Sequence, residues 1–247
     1  MKYSIQTVSD VGLVRENNED MVLVNHHFVR DDCYTCKVEL SANDRYMVAL
    51  ADGMGGHNCG EVASSDVLQN LDFFFGDMPS GLDVQGFNVA VQDWLQSISH
   101  TINAKGHTEP RYSGMGTTLV AFVYYEGHFY WLNCGDSRVY QWHEGKLSQL
   151  STDHSWDQIT GQTVHSHLIT NCIGGGCKNC YIDIFDCSST VSPGDTIMLC
   201  SDGLTDMIDD SQISDILRGG GGADELCKSA LEQGGVDNIS VSVIRIS

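Results

Sequence analysis

Acidic residues stand beside glycines or at the ends of apolar runs at five places in this chain. Glu19-Asp20 precedes the run 21–24, Asp52-Gly53 follows 46–50, and Gly135-Asp136 follows 128–132. Asp202-Gly203 follows 196–200, and Asp237-Asn238 precedes 239–246. One Asp-Gly alone reads as a turn or cap, because both residue types favour those conformations. Five of them, each against a strand-like run, point instead to a hard-metal centre. Carboxylate and carbonyl oxygens select Mg²⁺ or Mn²⁺ over soft metals, and a glycine beside Asp lets a backbone carbonyl turn toward the same ion. No stretch shows the alternating acids of a calcium-binding loop that ends in Glu.

Such acids need rigid strands to hold them. Apolar runs predict strands at 21–24, 46–50, 117–125, 128–132, 139–142, 196–200 and 239–246, with Glu126-Gly127 as a hairpin turn. In 61–75, Ala63, Val67, Leu68, Leu71, Phe74 and Phe75 form a helical stripe. In 86–105, Phe87, Val91, Trp94, Leu95, Ile98 and Ile102 form another, with Gly106 as its end. A third stripe, Ala223, Leu226, Ala230 and Leu231, runs up to Gly234. Helices clustered between antiparallel strands predict an α+β architecture with helices outside sheets. With only 3 prolines and short glycine tracts there is no linker, so residues 1–247 read as one domain.

The chain has 247 residues, of which 33 are acidic and 13 basic, a formal net charge of −20. That excess argues against nucleic acid or an anionic membrane as partner. A 41% hydrophobic, 19% charged composition fits a folded core rather than disorder. No apolar run approaches the ~20 residues of a spanning helix. The start, Met1-Lys2-Tyr3-Ser4-Ile5-Gln6, lacks a signal-peptide pattern, so a cytoplasmic protein with ten reduced thiols is expected. Cys33-x2-Cys36 and Cys177-x2-Cys180, each in a turn-like segment, have the spacing of a four-thiolate zinc site. The 140 residues between Cys36 and Cys177 favour free thiols. Cys59 lies beside the Asp52 loop, where oxidation would inhibit.

In order along the chain stand Ser9-Asp10-Val11-Gly12-Leu13-Val14-Arg15-Glu16-Asn17-Asn18-Glu19-Asp20, then Asp52-Gly53-Met54-Gly55-Gly56-His57 continuing to Ser64. Gly114-Met115-Gly116-Thr117-Thr118-Leu119, Gly135-Asp136-Ser137-Arg138-Val139-Tyr140 and Thr152-Asp153-His154-Ser155 follow. Cys200-Ser201-Asp202-Gly203-Leu204-Thr205-Asp206 and Asp237-Asn238-Ile239-Ser240 complete the series. From about Thr7 to the last residue, the series resembles the metal-dependent PP2C (PPM) protein serine/threonine phosphatases in their bacterial form.

That resemblance implies a four-layer α-β-β-α sandwich of two antiparallel sheets flanked by helices. It implies two Mn²⁺ or Mg²⁺ ions bridged by Asp52, with the Gly53 carbonyl on one and Asp202 and Asp237 on the other. Glu19 is expected near the Gly53 ion, with Asp20 and Asn238 behind the ligands. Asp136 with Asp202 matches a third-ion position. The implied activity is hydrolysis of phosphoserine and phosphothreonine by a metal-bridging hydroxide, without a phosphoenzyme. Consistent with that, no cysteine has an Arg six positions on. Arg15 is the candidate phosphate clamp, because its fork can hold two oxygens. The bland alternative for it is a surface salt bridge.

His57 is either the general acid for the departing oxygen or a residue that packs the loop. His154 and Arg138 read as structural. The segment at about 155–170 is a shortened form of the family's flap, and Asn171 stands where the family has Arg. The implied partners are phosphorylated proteins, a Ser/Thr kinase and its substrates among them, met by a monomer. Two other functions stand as alternatives: a catalytically weak regulatory or binding module, and a different two-metal hydrolase such as a nuclease. The first would be expected to lack a ligand Asp, and the second is disfavoured by the net charge.

Overall fold

The computed structural model describes residues 1–55, 59–161 and 168–247. Strand β1 (Lys2–Asp10) turns Tyr3, Ile5, Thr7 and Ser9 inward and their neighbours outward, the period-two pattern of a half-buried strand. β2 (Asp20–Val24), β3 (His27–Val29), β4 (Asp32–Glu39) and β5 (Arg45–Met54) follow. Two helices, α1 (Gly60–Asp77) and α2 (Val84–Thr108), lead to β6 (Gly116–Thr117), β7 (Leu119–Tyr125) and β8 (His128–Cys134). Then come β9 (Arg138–His143), β10 (Lys146–Gln149), a short α3 (Trp156–Thr160), β11 (Ile173–Gly174), β12 (Asp183–Asp186) and β13 (Thr196–Cys200). The one-turn α4 (Asp202–Thr205), α5 (Asp210–Arg218), α6 (Ala223–Glu232) and β14 (Ile239–Ile246) end the chain.

The strands form two antiparallel sheets. The first runs β10-β9-β13-β14-β1-β4; the second runs β11-β6-β5-β7-β8-β12, with β2 paired to β5 and β3 to β2. Between them lies an apolar layer that includes Ile5, Val22, Val48, Leu50, Val120, Ile197, Leu199 and Ile244. β5 is buried on both faces, so Met47, Ala49 and Ala51 point the other way, against α1 and α2. α5 and α6 cover the outer face of the first sheet on Met198, Val241 and Val243. The result is the α-β-β-α sandwich that the resemblance implied. β8 belongs to the second sheet and β9 to the first, so the Gly135–Ser137 connection crosses from one to the other.

Two local expectations need correction. α2 does not stop at Gly106 but runs to Thr108, with Pro110 beyond its end. A Cβ at Gly106 would stand 2.9 Å from the Tyr112 carbonyl oxygen, so this glycine serves a close approach of the chain. Cys33 and Cys36 lie in β4, a strand rather than a turn. Residues three apart on a strand project to opposite faces, and Cys33 is exposed while Cys36 faces inward, 3.5 Å from the Tyr46 hydroxyl. Cys177 and Cys180 pack with the helical layer over the other sheet. The two CxxC pairs therefore do not form one site.

Phe87 of α2 is 1% exposed; its ring stacks on Tyr130 (centroids 4.0 Å apart) and tilts against Tyr125 at 5.3 Å. Phe87→Ala is expected to cost about 3–5 kcal/mol. Urea unfolding should show a lower midpoint at unchanged slope, and an unchanged midpoint would mean that α2 is not anchored there.

Candidate metal centre

Asp20 of β2 and Asp52 of β5 stand directly opposite in the sheet register. Beside them Gly53 N–H donates to the Glu19 carbonyl (3.2 Å). A Cβ at Gly53 would stand 2.1 Å from the Gly60 carbonyl oxygen and 2.6 Å from that of Glu19, so the start of α1 packs directly on the Asp52-Gly53 turn. Glu19 is held by the same helix: Gly60 N–H donates to its carboxylate (3.3 Å) and the Ser64 hydroxyl to its carbonyl (2.6 Å). The Asp52 backbone is clamped by Thr117 and Thr118. Asp52 N–H donates to Thr118 Oγ1 (3.0 Å), and its carbonyl accepts from Thr118 N–H (2.9 Å) and Thr117 Oγ1 (2.8 Å). Thr118 Oγ1 also meets Ser137 Oγ at 2.7 Å, which ties Asp52 to the crossover that carries Asp136.

The first sheet contributes Asp202, at the start of α4 just past β13, and Asp237, just before β14. A Cβ at Gly203 would fall 2.0 Å from the Asn238 carbonyl oxygen, so only glycine lets these two segments touch. Asn238 then joins the sheets. Its Oδ1 accepts from Glu19 N–H (2.9 Å), and its Nδ2 donates to the carbonyls of Val11 (2.9 Å) and Asn17 (3.0 Å). The loop so fastened carries Arg15, whose Nη2 donates to Asp237 Oδ2 at 2.7 Å while half the side chain remains exposed. The expected clamp is thus at the cleft and in an ion pair with an expected ligand.

Burial and neighbouring acids raise the proton affinity of Asp52, Asp20, Asp136 and Glu19. Burial pushes Asp52 well above the usual carboxylate range, and Asp20, Asp202, Asp136 and Asp237 push it further. Asp20 is raised to about 7 by burial, with Asp202 and Asp237 adding to the rise. The Ser201 and Ser240 hydroxyls oppose it without reaching hydrogen-bond geometry, and both carboxylate oxygens of Asp20 are buried without a partner. Asp136 is raised to about 8 by burial and then by Asp202; its Oδ1 is also partnerless. Glu19 is raised by burial, against the pull of Gly60 N–H and Arg15.

This donor set fits divalent hard cations: it is all oxygen, and the buried oxygens of Asp20 and Asp136 are orphaned. Among the described residues no three acidic, His or Cys side chains already surround one point. Small hard ions keep several waters and take one or two carboxylates each, so a shared cleft rather than a closed cage is the arrangement to expect.

Arg30 and Asn18 carry supporting roles that their local sequence does not announce. Arg30 donates to the Asp20 carbonyl (2.7 Å), the Glu61 carbonyl (3.0 Å) and Ser64 Oγ (2.7 Å), and Asn18 Oδ1 accepts from Asp20 N–H (3.0 Å). His154 is buried. Its Nδ1 accepts from Gly135 N–H (3.1 Å) and Asn171 Nδ2 (2.8 Å), so the proton sits on Nε2, which donates to Asp183 (3.0 Å). Arg138 grips Asp153 with two nitrogens at 2.7–3.0 Å. His57 lies outside the described residues, as does the 162–167 part of the flap.

A family model described as protein phosphatase 2C matches residues 23–220. Over 245 residues the chain is 33% identical to the serine/threonine protein phosphatase PstP of Mycobacterium tuberculosis, a match that covers 95% of this chain and 43% of that protein. It is 30% identical over 261 residues to the protein phosphatase PhpP of Streptococcus pneumoniae, covering 98% and 97%. Among solved structures, the catalytic domain of PstP in complex with two manganese ions superposes with a TM-score of 0.74 at 31% identity, covering 100% of this chain and 99% of that one.

An acid whose folded pKa is raised holds more protons folded than unfolded. Its contribution to stability therefore falls as pH climbs from its ordinary value, about 3.9, through the folded one. Asp20 and Asp136 place that loss between about 4 and about 8. Chelator-treated protein should melt at a higher temperature at about pH 5.5 than at about pH 8, and Mn²⁺ or Mg²⁺ should narrow the gap. Equal melting temperatures in chelator would contradict the clustering.

Proposed function

The chain belongs to the protein phosphatase 2C family, and from that premise we propose that it is a metal-dependent protein serine/threonine phosphatase that hydrolyses phosphoserine and phosphothreonine. The observation that carries the reading is the gathering of Asp20, Asp52, Asp136, Asp202 and Asp237 from both sheets, with buried carboxylate oxygens that no protein group satisfies. Asp52, Asp202, Asp237 and the Gly53 carbonyl would hold two Mn²⁺ or Mg²⁺ ions, flanked by Glu19. Bound there, the ions supply Lewis-acid activation of water and neutralise charge on the phosphoryl group. The partnerless Asp136 Oδ1, facing the field of Asp202, supports a third ion between those two residues.

The chain's own groups do the positioning. Arg15 uses one nitrogen on Asp237, and a guanidinium has five N–H donors, so its fork can take phosphate oxygens and keep that contact. Asn238 fixes the loop that presents it. Thr117 and Thr118 hold the Asp52 backbone, so the strand end cannot shift to relieve the repulsion from Asp20 and Asp136.

The substrates are phosphorylated proteins, including a Ser/Thr kinase that the enzyme opposes. Residues 1–247 act as one domain, and the enzyme works as a monomer in the cytoplasm. The names of the relatives support the substrate class, and the net charge of −20 speaks against a polyanion such as nucleic acid. Among the described residues no helix is long and apolar enough to cross a membrane.

A phosphothreonine peptide should be hydrolysed with Mn²⁺ or Mg²⁺ and not with chelator. Asp52→Asn should lower kcat by about a hundredfold or more, and Arg15→Ala should raise KM about tenfold or more. Full turnover by Asp52→Asn, or in chelator, would move the chemistry elsewhere.

A further inference from the structure

Four of the ten cysteines gather beside the metal cleft without taking part in it. Cys134 ends β8, and its Sγ lies 3.7 Å from that of Cys180, 46 residues on. Cys172 and Cys177 sit on the same segment as Cys180, near enough for both to act on the Cys134 thiol. A four-thiolate ion site would need at least three of these sulfurs around one point, which the described residues do not show. Two sulfurs in contact favour a bond between them, and closing from 3.7 Å to a disulfide length of about 2.05 Å is a short movement.

We propose that Cys134 and Cys180 are a redox pair which a peroxide-class oxidant converts to a disulfide, and that this bond shifts the Gly135–Asp136 turn and slows the enzyme. The second half rests on the phosphatase reading; the first does not. Both thiols are buried, and buried thiols are inert until the chain opens. Between residues 168 and 182 the only strand is the two-residue β11, and Gly174, Gly175 and Gly176 all turn with positive φ. An oxidant reaches the two thiols when this segment opens locally.

The sulfur of Cys180 then attacks a peroxide oxygen. An S–O bond forms, the O–O bond breaks, and one water leaves. The sulfur of Cys134 attacks the resulting sulfenic acid, the S–S bond replaces the S–O bond, and the Cys134 proton departs with the oxygen as a second water. Two thiols lose two electrons and two protons, and one hydrogen peroxide becomes two waters.

Transmission to the site is short. Asn171 Nδ2 lies 3.5 Å from Cys134 Sγ and 2.8 Å from both the Tyr181 carbonyl oxygen and His154 Nδ1. His154 in turn receives Gly135 N–H, and Gly135 is bonded to both Cys134 and Asp136. Pulling Cys134 toward Cys180 breaks into that network at the turn itself.

The test treats the Mn²⁺-loaded enzyme with hydrogen peroxide, alkylates it under denaturing conditions and maps the peptides by mass spectrometry. A linked Cys134–Cys180 peptide, two hydrogens lighter and lost on dithiothreitol, is expected, with activity falling several-fold and returning on reduction. Cys180→Ser should keep its activity under the same peroxide, and Cys59→Ser should not. Free alkylated Cys134 and Cys180, pairing of Cys180 with Cys172 or Cys177, stoichiometric zinc in the purified protein, or protection by Cys59→Ser would each overturn the proposal. So would a linked peptide with undiminished activity. Wild-type mapping decides the pairing even if Cys180→Ser fails to fold. An enzyme inactive before any peroxide would count against the phosphatase reading and leave the disulfide to be judged by its peptide.

Discussion

Carboxylates that repel one another are held within a common field at one end of the sandwich, and much of the surrounding architecture can be understood as the means of holding them. The second sheet supplies Asp20 and Asp52 in register, the first supplies Asp202 and Asp237, and the crossover supplies Asp136. Each raises the proton affinity of its neighbours. Left to itself such a cluster would protonate or spread. What prevents spreading is backbone: the acids sit on strand ends or on turns fastened by hydrogen bonds, so their positions are set by the sheets and not by their own preferences.

The fastening is done by neutral groups. Asn238, Thr117, Thr118, Ser64 and Ser137 are amides and hydroxyls that bond backbone or one another. The cations nearby are placed with restraint. Arg30 is half-buried next to Asp20, yet its guanidinium bonds carbonyls and a hydroxyl and leaves the carboxylate alone. Arg15 takes one oxygen of Asp237 at the rim. A lysine driven into the middle would satisfy the charge and close the site to divalent ions. The orphaned oxygens of Asp20 and Asp136 are therefore a stability cost that the function explains.

How far the sequence could be read follows from where its signals lie. β13 and β14 are apolar runs with sharp ends and were found to the residue, and α1 to within two. β1 was not found because its inward face carries Thr7 and Ser9, whose hydroxyls bond Ser242 (2.8 Å) and Ser240 (2.9 Å), so half its hydrophobic signal is missing. β4 was hidden by a cysteine spacing that resembles a knuckle. The acids were legible because each stands beside a strand end and most have a glycine or Asn next to them. Thr118 and Ser64 act through contacts made 66 and 45 residues away, and nothing in their local sequence announces this. The thiols teach the same lesson: Cys180 has Cys177 three residues away, yet the fold puts it against Cys134.

On the proposed phosphatase reading, the net charge of −20 acts on the substrate as well as the site. A phosphorylated segment approaching this protein meets repulsion, although ions screen it beyond a Debye length of about 8–10 Å. Long-range attraction therefore does not gather substrate here, and recognition has to be won at contact distance. Within that distance, among the described residues, Arg15 at the rim supplies positive charge, together with whatever cations the carboxylates hold. Divalent ions would neutralise the cleft, so the same ions that activate water would also make phosphate binding possible. On this account loss of metal removes affinity and chemistry together, and the acidic surface confines binding to places where a phosphate can reach the ions.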